Sequence, residues 1–226
     1  YLLRLGFDTQ FIGSLIATGQ IAWALTALPA GTIGRRFGLR TALIIGSTIS
    51  ALGIGFLLLV EWFPKNEWGT WLYFSWIVTW LGAALLTVNS IPFLLNVSTP
   101  EERNHAFAAQ AALVALMGFF GSLVAGFLPG VLSVWSGYSI DQPPPFWYPL
   151  WLVPLAHLLC ILVWAGAQPV KMMKDSNSLE SAPIPLGLFV FFGFVVFLQT
   201  AGEGSVRAFF NVYLDKALQM PTAQIG

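Results

Sequence analysis

Four polar side chains recur at intervals of four in an otherwise apolar segment: Gln199, Glu203, Arg207 and Asn211. At about 100° per residue they form a stripe that drifts slowly around one helix face. Glu203 and Arg207 are spaced to pair one turn apart. A charge at membrane depth costs about 2.5–3.5 kcal/mol on insertion scales, so such groups turn towards a bundle interior or a wet cavity. Two chemistries fit this stripe. In one, it lines a path for solute: Arg207 holds an anionic or polar group, and Glu203 takes up a proton or balances Arg207. In the other, the two are a structural ion pair that holds the fold or a gate. Gly202 and Gly204 flank Glu203 and would let the helix bend there.

Gln20, Asn89 and Gln110 are weaker candidates of the same kind. Each can touch a solute, or serve as an interhelical hydrogen-bonding group. Pro92, close to Asn89, is expected to bend its helix. His105 and His157 lack Cys, Asp or Glu partners at metal-ligand spacing, so no metal is expected. Cys160 sits alone in an apolar run and reads as packing. No lysine follows a glycine, so there is no phosphate-binding loop, and no H-E-x-x-H or G-x-S-x-G is present. Neither enzymatic activity nor a cofactor is expected. Asn96-Val97-Ser98 is a formal glycosylation sequon.

The elements that must position these residues follow from composition. Of 226 residues, 57% are hydrophobic and 9% charged, with mean hydropathy +0.75. A soluble domain carries about 25% charged residues, so lipid is the natural solvent for the excess apolar surface. Zero net charge gives no sign of nucleic-acid binding. Six stretches are long enough to cross about 30 Å of hydrocarbon. They are roughly Phe11–Ala30, Thr41–Val60, Trp71–Leu95, Ala106–Val134, Pro149–Ala167 and Pro185–Phe210. Residues 1–8 read as the tail of a preceding span, and both ends of the chain as truncations. Short connections make neighbouring helices antiparallel.

One set of loops holds Arg35, Arg36, Arg40, Arg103, Lys171 and Lys174; the other holds Arg4, Lys65 and Lys216. The positive-inside rule places the first set in the cytoplasm. Trp62, Trp68, Trp71, Tyr73, Trp135, Tyr138, Trp147, Tyr148 and Trp151 crowd the opposite side, as an interfacial belt would. Counting about 1.5 Å per residue from Pro185 then puts Glu203 in the outer half of its span.

Small residues at four-residue spacing allow close backbone approach. Ala108/Ala112, Gly118/Ser122 and Ser122/Gly126 provide them on one span, Gly46/Ser50 and Ala51/Gly55 on another. Both spans are expected inside a bundle. A short internal repeat pairs Tyr1-Leu2 and Gln10-Phe11-Ile12-Gly13 with Tyr213-Leu214 and Ala223-Gln224-Ile225-Gly226. One period holds six spans, as in transporters built from parallel repeats.

Between the first two spans runs Gly31-Thr32-Ile33-Gly34-Arg35-Arg36-Phe37-Gly38-Leu39-Arg40. It resembles the signature loop of the major facilitator superfamily, G-x-x-x-D-R-x-G-R-[RK]. Gly31, Arg36, Gly38 and Arg40 match; Arg35 stands at the acidic position and Leu39 at the first basic position of the final pair. Glycines permit a tight turn, and arginines grip carboxylates or helix C-termini. The resemblance implies a cytoplasmic gating loop here, with Arg35 in place of the acid of its charge network.

It further implies an all-α, polytopic transmembrane helix bundle of the major facilitator type. Residues 1–168 would hold the end of helix 1 and helices 2–6 of the N-terminal half. Residues 169–184 would be the central cytoplasmic loop, and 185–226 helix 7 and the start of helix 8. Thr99-Pro100-Glu101-Glu102-Arg103 looks like the connection between helices 4 and 5, with Pro100 in a first turn. Two drug/proton antiporter signatures are absent: Val78 stands where their helix-4 arginine would fall, and their G-P-x-x-G-G ending is missing.

The function implied is secondary transport of a small solute by alternating access, coupled to an ion gradient, with protons the expected ion. A passive facilitator on the same scaffold and a non-transporting membrane receptor or scaffold remain alternatives. The expected setting is a monomer with many spans in the cell membrane, the inner membrane if the source is bacterial. Its partners would be the lipid bilayer and the solute.

Overall fold

A computed structural model describes residues 1–168 and 186–220 of the chain. The chain divides into two compact units, Tyr1–Met172 and Met173–Ile225. All regular structure among the described residues is helical. The first unit contains α1 (Thr9–Phe37), α2 (Leu39–Leu58), α3 (Trp68–Val97), α4 (Arg103–Ser136), α5 (Pro144–Leu150) and α6 (Leu152–Gly166). Two 3₁₀ turns, Val60–Trp62 and Lys65–Glu67, lead from α2 into α3. The second unit contains α7 (Leu186–Lys216).

Among the described residues, five helical segments are long and apolar enough to cross a membrane: Thr9–Phe37, Leu39–Leu58, Lys65–Val97, Arg103–Ser136 and Pro144–Gly166. They coincide with the first five expected spans. The sixth falls on α7, whose apolar part is Val190–Thr200. Lys171–Ala182 lies outside the described residues, as does the second copy of the repeat at 223–226.

Local signals explain the helix ends. The Asp8 carboxylate caps α1, accepting from the Phe11 amide at 2.7 Å. Arg35 and Arg36 occupy the last turn of α1, where cations oppose the helix dipole. Gly38 then adopts φ +91°, ψ 146°, a conformation that a side chain disfavours, and α2 starts at the next residue. At the start of α4, the Thr99 amide and hydroxyl both donate to the Glu102 carboxylate, at 3.3 and 3.0 Å. Thr-x-x-Glu thus closes a turn over residues 99–102, and the α-helix begins at Arg103. α3 runs unbroken through Pro92.

Residues 1–8, expected as the tail of a span, form a single turn. The Arg4 and Leu5 amides donate to the Tyr1 carbonyl at 2.9 and 3.0 Å.

The centre of the first unit is α2 against α3, with α1 also packed on α3 and α6 against α2. The α2–α3 seam is built from small residues. Gly46, Ser47, Ser50 and Gly53 are buried on α2, and Ser75, Gly82 and Ala84 on α3. A Cβ on Gly46 would lie 2.9 Å from the Gly82 carbonyl oxygen. One on Gly53 would run into the Thr79 backbone, and one on Gly82 into the Ser50 amide. The Ser50 hydroxyl donates to the Thr79 carbonyl at 3.2 Å. Contacts this close are what small residues supply where lipid gives no hydrophobic drive between helices.

α4 behaves differently from the expectation that it sits inside a bundle. Only Gly126 and Pro129 are buried on it. No atom lies within 4 Å of a Cβ placed on Gly118 or Gly121. Of its paired small residues only Gly126 is buried.

The two ends of the first unit differ in kind. At one end the buried cluster Leu15, Leu57, Leu58, Val60 and Leu72 is packed by Trp68, Trp71, Tyr73, Trp147 and Trp151. Indole N–H groups tie this end together: Trp71 donates to the Phe56 carbonyl at 2.5 Å and Trp147 to the Leu58 carbonyl at 2.8 Å. Arg35, Arg36, Arg40 and Arg103 lie at the helix ends on the opposite side, as the loop charges suggest.

Candidate functional site

The segment Gly31–Arg40, expected as a glycine-rich turn, is helical through Phe37. Only Gly38 turns the chain. Gly34 serves packing instead: a Cβ there would overlap the Asn89 side chain, whereas one on Gly31 would sit 3.8 Å from Val88, at ordinary van der Waals distance. Arg35 and Arg36 are exposed, and the Arg36 guanidinium lies 5.4 Å from the Phe37 ring centroid. Arg40 reaches across to the end of α6. Its Nε donates to the Trp164 carbonyl at 2.9 Å and an Nη to the Ala165 carbonyl. These carbonyls belong to the last turn of α6, where the helix dipole is negative; the Trp164 carbonyl also accepts from the Ala167 amide at 3.2 Å. Phe93 packs on Trp164 edge-to-face at 5.4 Å, so α2, α3 and α6 converge here.

Asn89 is fully buried in α3 and points at α1. Its amide nitrogen donates to the Ala30 carbonyl at 3.2 Å and to the Leu85 carbonyl at 2.8 Å. It belongs to a row of polar contacts along the α1–α3 seam. The Ser14 and Tyr73 hydroxyls lie 2.6 Å apart, and Trp23 Nε1 donates to Thr87 Oγ1 at 3.0 Å. Between them, Gly19 admits the indoles of Trp76 and Trp80, whose N–H groups are buried with no hydrogen-bond partner among the described residues. Asn89→Ala should lower stability by about 1 kcal/mol, the net worth of a buried hydrogen bond, with thermal unfolding in detergent as the measurement.

Gln20 is exposed on α1, and Gln110 is partly buried on α4. Gln199 is exposed on α7. Glu203, Arg207 and Asn211 fall on the same uninterrupted α7 helix, and their side chains lie outside the described residues. The structure therefore places the Gln/Glu/Arg/Asn row on one helix. Asn89, Gly31, Gly34 and Arg40 belong to the α1–α3 and α2–α6 contacts of the other unit.

Two cavities were not foreseen from the sequence. One of about 480 Å³ lies between α4, α5 and α6, lined by Val124, Pro129, Phe146, Leu152, Val153 and His157, and is almost wholly apolar. His157 Nδ1 lies 2.9 Å from the Val153 carbonyl of its own helix. The other, of about 220 Å³, lies at the aromatic end and is lined by Glu61, Trp62, Tyr138, Trp147 and Tyr148, among others. The Glu61 carboxylate accepts from the Tyr1 hydroxyl at 2.7 Å. Burial, and then this hydrogen bond, push the Tyr1 phenol well above its ordinary range, so it remains a neutral donor. The sequence signal for this second cavity was the crowding of aromatic residues in two hairpins. It had read only as a belt.

Comparison with known proteins bears on the whole chain. A curated relative, the multidrug resistance protein MdtH of Photorhabdus laumondii subsp. laumondii, is 22% identical over 180 residues. The match covers 77% of this chain and 43% of the relative, so the chain spans less than half of that protein. No solved structure matches. The family model for the Major Facilitator Superfamily matches residues 2–226, in agreement with the helical bundle and its five membrane-length helices. This multi-pass membrane chain belongs to the Major Facilitator Superfamily.

Proposed function

We propose that the protein is a secondary transporter that moves a small solute by alternating access and couples it to a proton gradient. The observation that carries this reading is the continuity of α7 through Gln199, Glu203, Arg207 and Asn211. An uninterrupted helix keeps all four on one drifting stripe, and charged groups in an apolar helix favour a wet path. Family membership supplies the scaffold. In this reading residues 1–168 form helices 2–6 with the end of helix 1. Residues 169–184 link the halves, and 185–226 open the second half.

Arg207 binds a polar or anionic group of the solute, and Glu203 carries the proton. Gln20, exposed on α1, borders the path from the first half, while Asn89 holds α1 to α3. Gly31, Arg36, Gly38 and Arg40 form the cytoplasmic gate, with Arg40 clamping α2 to the end of α6. The relative's name associates that protein with multidrug resistance. Val78, in place of an arginine, argues against drug/proton antiport of the usual kind. The protein acts in the cell membrane.

The test uses the full-length protein in proteoliposomes, with solute flux followed with and without an imposed pH gradient. Wild type should respond steeply to the gradient. Glu203→Gln should transport with little dependence on pH. An unchanged pH response in that variant, at normal expression, removes the proton role. Wild-type flux indifferent to the gradient leaves a passive facilitator.

A further inference from the structure

The cavity at the aromatic end has a composition that a lipid interface alone does not require. Its floor is the 3₁₀ turn Val60–Trp62 that follows α2. Its other side is Tyr138, from the α4–α5 connection, with Trp147 and Tyr148 of α5. Four aromatic rings and one carboxylate, Glu61, share a space of about 220 Å³. An interfacial belt accounts for Trp and Tyr at this depth. It does not call for an acid among them.

Two of the groups are fixed in advance. The Trp147 indole donates to the Leu58 carbonyl at 2.8 Å and stands edge-to-face with Tyr148 at 5.4 Å and 73°. Glu61 is held by the Tyr1 hydroxyl at 2.7 Å. That hydrogen bond orients the carboxylate and uses one of its two oxygens. Lys65 at the same end lies 5.8 Å from the Trp68 ring centroid. Trp62 lines the cavity and is 79% exposed.

Aromatic faces attract cations through the ring quadrupole, with Trp the best and Tyr next. A cage of such rings with a carboxylate suits a cation too weakly hydrated to prefer water. Size narrows the choice, because pockets for drug-sized ligands run to about 300–1,000 Å³. We propose that this cavity binds the head group of an organic cation, a quaternary or alkylated ammonium, at the aromatic end of the bundle. Only the head group enters, and any tail extends outwards past Trp62. The site stands on the first unit alone and does not depend on the transport reading.

The test uses full-length protein in nanodiscs, with choline as the probe and 3,3-dimethylbutan-1-ol as its uncharged isostere. Binding is read by titration calorimetry. Wild type should bind choline saturably and the neutral isostere at least tenfold more weakly. Glu61→Gln keeps the shape and an acceptor for Tyr1, and should weaken choline at least tenfold. Trp62→Ala should weaken it severalfold while the melting temperature stays unchanged. The proposal is overturned by an absence of saturable choline binding to folded protein. It is also overturned by equal affinity for the two probes, or by choline binding that Glu61→Gln leaves unaltered.

Discussion

A Gly82→Leu variant is expected to fail to accumulate as a folded, monodisperse protein. Gly82 is buried where α3 crosses α2, and a single Cβ there would strike the Ser50 amide and hydroxyl and approach the Gly46 carbonyl. These are mostly backbone atoms, so no side chain can rotate away to make room. The same crossing is tight from the other side at Gly46 and again at Gly53. Overpacking a close-packed contact costs about 1–3 kcal/mol, occasionally more, and leucine adds four carbons where one already collides. A typical domain has only about 5–15 kcal/mol in total. Gly82→Ala should survive with a lowered melting temperature. Gly55, also on α2, has no atom within 4 Å of its would-be Cβ. Gly55→Ala should therefore match wild type or gain up to about 1 kcal/mol through helix propensity. Tryptophan fluorescence during thermal unfolding in detergent, together with size-exclusion profiles, checks all three. A Gly82→Leu protein as stable as wild type would mean that the α2–α3 crossing is not as described.

Arg40→Ala should cost about 2–3 kcal/mol. Two charge-assisted hydrogen bonds to the end of α6 are lost, and hydrogen bonds to charged groups contribute about 1.5–3 kcal/mol. The partial exposure of Arg40 lets water take over some of the freed carbonyls, which keeps the loss below the sum of two such bonds. Arg40→Lys should recover only part, because an ammonium is a point charge and cannot present a fork to two successive carbonyls. The measurement is thermal unfolding of the three proteins side by side. If lysine restores full stability, charge against the helix dipole is the whole effect and the two-point geometry is irrelevant.

Arg40 shows what residue types convey directly. A basic residue beside a glycine turn, in a chain of helices, has few partners other than carboxylates and helix C-termini, and the second is what it finds. Gly38 was equally readable as a turn. Gly34 was not, because a glycine that turns the chain and one that admits a neighbour look the same in sequence. Only the Asn89 side chain pressed against Gly34 tells them apart. On α2 the Gly46/Ser50 pair marked the correct face, yet Gly53, Thr79 and Gly82 complete the seam at spacings set by the crossing of two helices. A pattern within one helix cannot give that crossing. α4 carries the same small-residue pattern, yet only Gly126 of it is buried, because such a pattern records a capacity for close approach and not the approach itself. For the aromatic end, sequence supplied the rings. The grouping of Glu61 with Tyr138 and Trp147 joins residues more than 70 positions apart, which no local pattern encodes.

α1 and α2 are joined by one residue, Gly38, while both lie against α3. Such a joint is a pivot and not a tether, since it has no slack to absorb motion. With α2 about 30 Å long, a 10° change at Gly38 would carry its far end about 5 Å. The pivot does not choose that angle. Both helices pack on α3, so added side-chain bulk along those seams is expected to be felt as a swing at the far end of α2.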